Sequence, residues 1–76
     1  MRRAGTVVSI AQGTLVLRAA DADTAGIGAP VVDDRLTNIG RIVDVFGPVD
    51  APYLVVTPTA DIDLPDHLGD ILYLRE

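Results

Sequence analysis

Three observations predict an all-β fold, a small six-stranded antiparallel β-barrel. The chain consists largely of short β-branched and aliphatic runs, Gly and Pro punctuate the gaps between them, and no segment sustains a helical period. Six short strands within 76 residues leave many exposed edges unless the sheet closes on itself.

The elements follow in order. Thr6 to Ile10 and Thr14 to Ala19 are apolar runs joined by Ala11-Gln12-Gly13, a short hairpin whose glycine can supply a positive φ. Residues 20 to 29, ADADTAGIGA, read as a connecting loop, and Pro30 to Asp33 as a third short strand. Ile39 to Phe46 and Tyr53 to Thr57 form a second hairpin around Gly47 and Pro48. A turn is expected near Leu64 to Leu68, and Asp70 to Leu74 is the last strand. The whole of residues 1–76 reads as one domain, without repeats, linker or low-complexity tail. A domain of this size buries only about 60% of its unfolded surface and is marginal on its own.

Composition narrows the chemistry. There is no Cys, which excludes disulfides, thiolate zinc sites and Cys nucleophiles and fits an intracellular, cytoplasmic setting. Net charge is −5; Asp supplies ten of the eleven acids, Arg supplies all six bases, and Lys is absent. Such a surface, dense in short carboxylates, is that of a halophilic protein, soluble where salt screens self-repulsion. Met1-Arg2-Arg3 before apolar residues imitates a signal peptide, but Ser9, Gln12, Gly13 and Thr14 interrupt any apolar core. No run approaches the roughly 18 apolar residues of a membrane span, so no membrane partner is expected.

A catalytic inventory comes up short. Ser9 is the only Ser and lies within a strand without a nucleophile-elbow sequence; His67 is the only His. Asp61, Asp63, Asp66 and Asp70 gather near His67 in DIDLPDHLGD, but the spacing misses the calcium-loop pattern, so a solvated acidic loop is expected and no metal site. Asp33 and Asp34 are adjacent strand residues that face opposite ways and share no acid-base site. GIG at 26 to 28 lacks the further residues of either phosphate-binding glycine motif, and no cofactor is expected. The six Arg are scattered among eleven acids, which argues against direct nucleic-acid binding; at most Arg2, Arg3 and Arg41 make a minor contact, and a solvated or salt-bridged role is expected of them.

The face patterns carry information where they fail. In Thr14 to Ala19, Leu15 and Leu17 point one way and Thr14 and Arg18 the other, as in a strand with one wet face. In the second hairpin, strict alternation puts Ile39, Val43 and Val45 on one face and Ile42 and Phe46 on the opposite one. Tyr53 and Val55 alternate with Leu54 and Val56 in the same way. A small barrel has one interior, so either some of these side chains form an external apolar patch, which marks a partner site, or a bulge or loop covers them.

Residues 31 to 58, VVDDRLTNIGRIVDVFGPVDAPYLVVTP, bear a specific resemblance. Gly40, Asp44, Phe46-Gly47-Pro48-Val49 and Pro52-Tyr53 resemble the core signature of the small glycine/arginine-rich-domain subunit of H/ACA ribonucleoproteins, the particles of RNA-guided pseudouridylation. The hairpin-first opening and the LGDILYL ending are similar to archaeal members. The RGG-rich tails of eukaryotic, nucleolar relatives have no counterpart here. The resemblance implies a barrel like the β domains of translation factors, docked on the pseudouridine synthase subunit. It also implies a non-catalytic role in rRNA processing and ribosome biogenesis, promoting substrate turnover and product release, with guide RNA contacted only indirectly. IGRIVDV also resembles PRC-barrel modules, which would imply an adaptor in ribosome maturation.

The candidate partner-binding residues are Val45, Phe46, Gly47, Pro48, Val49, Pro52 and Tyr53, in an FGPV and PY context not typical of PRC-barrel modules. Pro48 and Pro52 restrict the loop, Gly47 permits a sharp departure from the strand, and a rigid loop loses less entropy on docking. Val49, Pro48 and Pro52 are the favoured contacts, while Phe46 belongs either to the core or to the interface.

Overall fold

A computed structural model describes residues 2–21, 26–59 and 62–75. Its strands are β1 (Arg2–Ala11), β2 (Thr14–Ala19), β3 (Pro30–Val32), β4 (Asn38–Phe46), β5 (Tyr53–Pro58) and β6 (Ile71–Leu74), with one 3-10 turn at Leu64–His67. All strand pairs are antiparallel and the sheet closes in the order β1-β2-β5-β4-β3-β6. Closure leaves neither a free edge nor room for a second core.

The barrel interior is aliphatic. Val7, Leu15, Leu17, Val31, Ile39, Ile42, Leu54, Val56 and Leu72 are each no more than 1% exposed, and among the described residues no polar side chain is buried with them. The partly buried Ile10, Val45, Ile62 and Leu64 pack against this cluster. Register explains the layering, since residues directly opposite one another share a face. Leu17 stands between Val7 and Leu54, and Val56 between Leu15 and Ile42.

Bulges resolve the two-sided pattern of β4. Its pairing with β3 slips between Gly40 and Asn38, leaving Ile39 as the extra residue, and its pairing with β5 slips between Ile42 and Asp44, leaving Val43 extra. Each extra residue reverses the parity of the strand beyond it. Ile39 and Ile42, assigned to opposite faces by strict alternation, therefore both enter the core. Val45 turns inward opposite Leu54, and Val43 and Phe46 turn outward. β1 uses the same device at Ala4 and Val8, where its pairings with β6 and β2 slip.

β1 begins at Arg2 rather than Thr6. Two charged residues followed by Ala4 and Gly5 have weak strand propensity, but pairing with β6 and β2 overrides it, and both Ala4 and Gly5 are buried. A side chain at Gly5 would collide with the Arg18 carbonyl, and one at Gly40 with the Thr57 carbonyl, so both glycines mark close backbone approaches.

β3 ends at Val32 because Asp33 is spent on a turn, its Oδ1 accepting hydrogen bonds from the Arg35 and Thr37 backbone amides at 2.9 Å each. Of the connecting loop at 20 to 29, residues 22–25 lie outside the described residues. Its end runs along β4, with the Ile42 amide donating to Ala29 O at 3.0 Å.

Candidate protein-docking turn

The last pair of the β4–β5 ladder is Phe46 with Tyr53. Their rings stack, centroids 5.4 Å apart and planes 22° from parallel. This is an offset aromatic pair on the outer face of the barrel, where Phe46 is 49% exposed. Phe46 is therefore an external residue, and the choice between core and surface goes to the surface.

From that pair the chain leaves through Gly47 at φ 96°, a conformation an L side chain rarely adopts; a Cβ there would also press on the Tyr53 ring at 3.0 Å. Pro48 then opens a turn closed by the Ala51 amide donating to Pro48 O at 3.2 Å. The turn's first central residue, Val49, is 92% exposed, the most exposed large apolar side chain among the described residues. Pro52 returns the chain to the barrel: its ring is buried, and its carbonyl accepts from the Ala19 amide at 3.0 Å.

The seven candidate residues thus divide by position. Phe46, Pro48, Val49 and Tyr53 present apolar or aromatic surface, with Tyr53 half-buried. Gly47 shapes the departure. Val45 is packed against the core and Pro52 is buried, so these two brace the turn from beneath and are not exposed contacts.

Sequence reasoning missed how far the surface extends. Val16 lies on the same outer face as Thr14 and Arg18, directly opposite Val55, so the wet face of β2 is less polar than its alternation implies. Val55 in turn lies opposite Asp44, and Arg18 opposite Tyr53. The signal available was Val16 itself, an apolar residue at an outward parity position. A separate set of partly exposed apolar residues, Val8, Leu68 and Ile71, flanks β1 and β6.

The acidic stretch near His67 has a local structural use. His67 Nδ1 lies 3.2 Å from Asp70 Oδ2, and the His67 side chain is only 19% exposed, so the pair clips the 3-10 turn to the start of β6. Asp61 of this stretch lies outside the described residues. Among the described residues no three carboxylate or imidazole groups converge as metal ligands would. A polar hollow of about 460 Å³ lies nearby, lined by Asp33, Asp34, Arg35, Asp70 and Tyr73 among others. Of its carboxylates, Asp33 is held by its own turn and Asp70 by His67.

The fold and the turn define a class: a single closed β-barrel that holds a proline-bounded apolar hairpin tip away from its own core. Within that class, the family model described as the Gar1/Naf1 RNA binding region matches residues 1–76, and the chain belongs to that family. It is also 27% identical over 77 residues to an uncharacterized protein of Methanothermobacter thermautotrophicus, the match covering 97% of this chain and 83% of the relative. The family is one of non-catalytic accessory proteins of H/ACA ribonucleoproteins, and its match over the whole chain supports a role in such a particle, as the FGPV signature implied, rather than the PRC-barrel alternative.

Proposed function

We propose that this chain is the non-catalytic subunit that docks on the pseudouridine synthase of an H/ACA particle through Phe46, Pro48, Val49 and Tyr53 and promotes RNA-guided pseudouridylation. The observation that carries the docking surface is Val49, 92% exposed on a turn whose closing hydrogen bond and flanking prolines fix its shape. An apolar side chain held in water gains by burial, at about 25 cal/mol per Å² of apolar area removed. A turn already locked loses little conformational entropy when that burial occurs.

The surface that flanks the turn suits a protein partner. The Phe46–Tyr53 stack supplies a flat aromatic anchor of the kind enriched at interface centres. Arg18, opposite Tyr53, supplies a charged rim. Through this contact the subunit biases the synthase toward release of modified RNA, contributing no reacting group of its own.

A reconstituted synthase particle tests this reading under multiple-turnover conditions. Adding the chain raises the steady-state rate of pseudouridine formation while the single-turnover yield persists without it. Equal multiple-turnover rates with and without the chain contradict the proposal.

A further inference from the structure

The barrel carries a second apolar surface, at the end away from the 46–53 turn. Val8, Leu68 and Ile71 are between 38% and 55% exposed, and backbone pairing sets them side by side. The Gly69 amide donates to Val7 O and the Val7 amide to Asp70 O, each at 2.9 Å, so Val8 and Leu68, one residue further along the two chains, are neighbours. Val8 is also the extra residue of the β1 bulge, which pushes it out of the ladder. Ile71 lies opposite Thr6 and diagonal to Val8, within reach of a long side chain.

Ile71 belongs at the same time to the polar hollow beside β6, so the apolar patch runs into that hollow without a break. Asp33, Asp34 and Asp70 line the hollow together with Arg35 and Tyr73. Among these described residues the carboxylates outnumber the cations, even when His67, beside Asp70, is counted as a cation. Tyr73 shares the outer face of β6 with Ile71, because the buried Leu72 stands between them.

An apolar patch of this kind on a small protein marks an interaction site, and the charge of its border selects the occupant. Nucleic acid would bring phosphates against carboxylates. A second copy of this chain, in a two-fold contact, would bring the same excess of carboxylates to the same contact. An arginine within an apolar protein segment suits both halves. Its methylene stem covers apolar surface while its head stays among polar groups. The guanidinium pairs bidentately with a carboxylate and stacks on an aromatic ring.

We propose that Val8, Leu68 and Ile71, with the adjoining hollow, form a docking surface for a protein segment that presents an arginine and aliphatic side chains on one face. The aliphatic side chains cover the patch, and the arginine enters the hollow of about 460 Å³ beside Tyr73. Asp34 receives it, since Asp33 Oδ1 already accepts from two amides of its own turn and Asp70 is held by His67. The hollow adjoins the turn that leads into β4 at Asn38, whereas the 46–53 turn leaves β4 from Phe46; the nine residues between span about 26 Å. A protein docked at the 46–53 turn therefore leaves this surface free.

The test is a titration of the isotope-labelled full chain with the peptide acetyl-Leu-Ser-Arg-Ser-Leu-amide, whose leucines and arginine share a face when extended. Backbone amide NMR in about 0.15 M potassium chloride, near physiological ionic strength, reads it. Shifts are expected at Val8, at Asp34 and from Leu68 to Tyr73, with none from Phe46 to Tyr53. Replacing the peptide's arginine by glutamine weakens binding about threefold, and Asp34→Asn removes that difference between the two peptides. Leu68→Ser, at an exposed position, weakens binding about fivefold. Should Leu68→Ser lose its dispersed spectrum, the comparison of the two peptides on Asp34→Asn decides alone. The proposal is overturned by an absence of shifts, by shifts centred on residues 46–53, by equal binding of the glutamine peptide, or by a uridine dodecamer that produces the same shifts. Shifts at Val8, Leu68 and Ile71 on diluting the free chain would also overturn it, by assigning the patch to a second copy.

Discussion

The two hairpins of the barrel turn in different ways, and the contrast separates what folds this protein from what it offers to others. Between β1 and β2, Gln12 and Gly13 sit at φ 52° and 78°, a two-residue turn of the mirror-image type that matches strand twist. Thr14 Oγ1 donates to Ala11 O at 2.6 Å, and the turn exposes no large apolar side chain. Between β4 and β5 the connection takes six residues, two of them proline, and carries Val49 outward and Pro52 inward. A chain that needed only to reverse direction would do so with the first kind of turn. The extra residues of the second hold an apolar tip in water at a cost to solubility, which makes sense where the tip is covered in the working assembly.

The contrast can be sharpened by substituting the glycine of the longer turn. Gly47→Val forces a β-branched residue to φ 96° and against the Tyr53 ring, so it destabilises the barrel by about 1–3 kcal/mol. Circular dichroism melting reads this as a fall of several degrees; an unchanged midpoint would mean that the turn relaxes freely and is not rigid. Smaller and opposite in sign is Gln12→Asn in the short turn. Asn tolerates a left-handed φ better than Gln, and Asn-Gly is the preferred pair for this turn type. A gain of a few tenths of a kcal/mol is expected, with synthase affinity unchanged. A loss of affinity from this substitution would show that both ends of the barrel dock and would dissolve the distinction.

Much of this was legible in the sequence. Five of the six strands fall within two residues of their reading at each end, because their runs are β-branched and bounded by Gly, Pro or Asp, whose backbone chemistry is local. The start of β1 was not, since Ala4 and Gly5 are strand residues only by virtue of what pairs with them. The facing of β4 escaped for a related reason: a bulge is defined by the partner strand, and neither Ile39 nor Val43 announces itself as the extra residue.

At the candidate site, Gly47 and Val49 behave as their residue types dictate. The inward turn of Pro52 depends on its carbonyl meeting the Ala19 amide, a contact 33 positions away in the chain.

The central claim, that the β4–β5 turn is a docking surface and not a structural turn, is tested most directly by one paired measurement on Val49→Asp. Isothermal calorimetry of the variant and the unsubstituted chain with the synthase is run in molar potassium chloride alongside melting of each free protein. The account predicts an unchanged melting midpoint, because a tip residue 92% exposed contributes within about 0.5 kcal/mol to folding. It also predicts an affinity loss of more than about a hundredfold, because docking would bury an unpaired carboxylate at a cost of at least a few kcal/mol. Tight binding by Val49→Asp, equal to that of the unsubstituted chain, would contradict it.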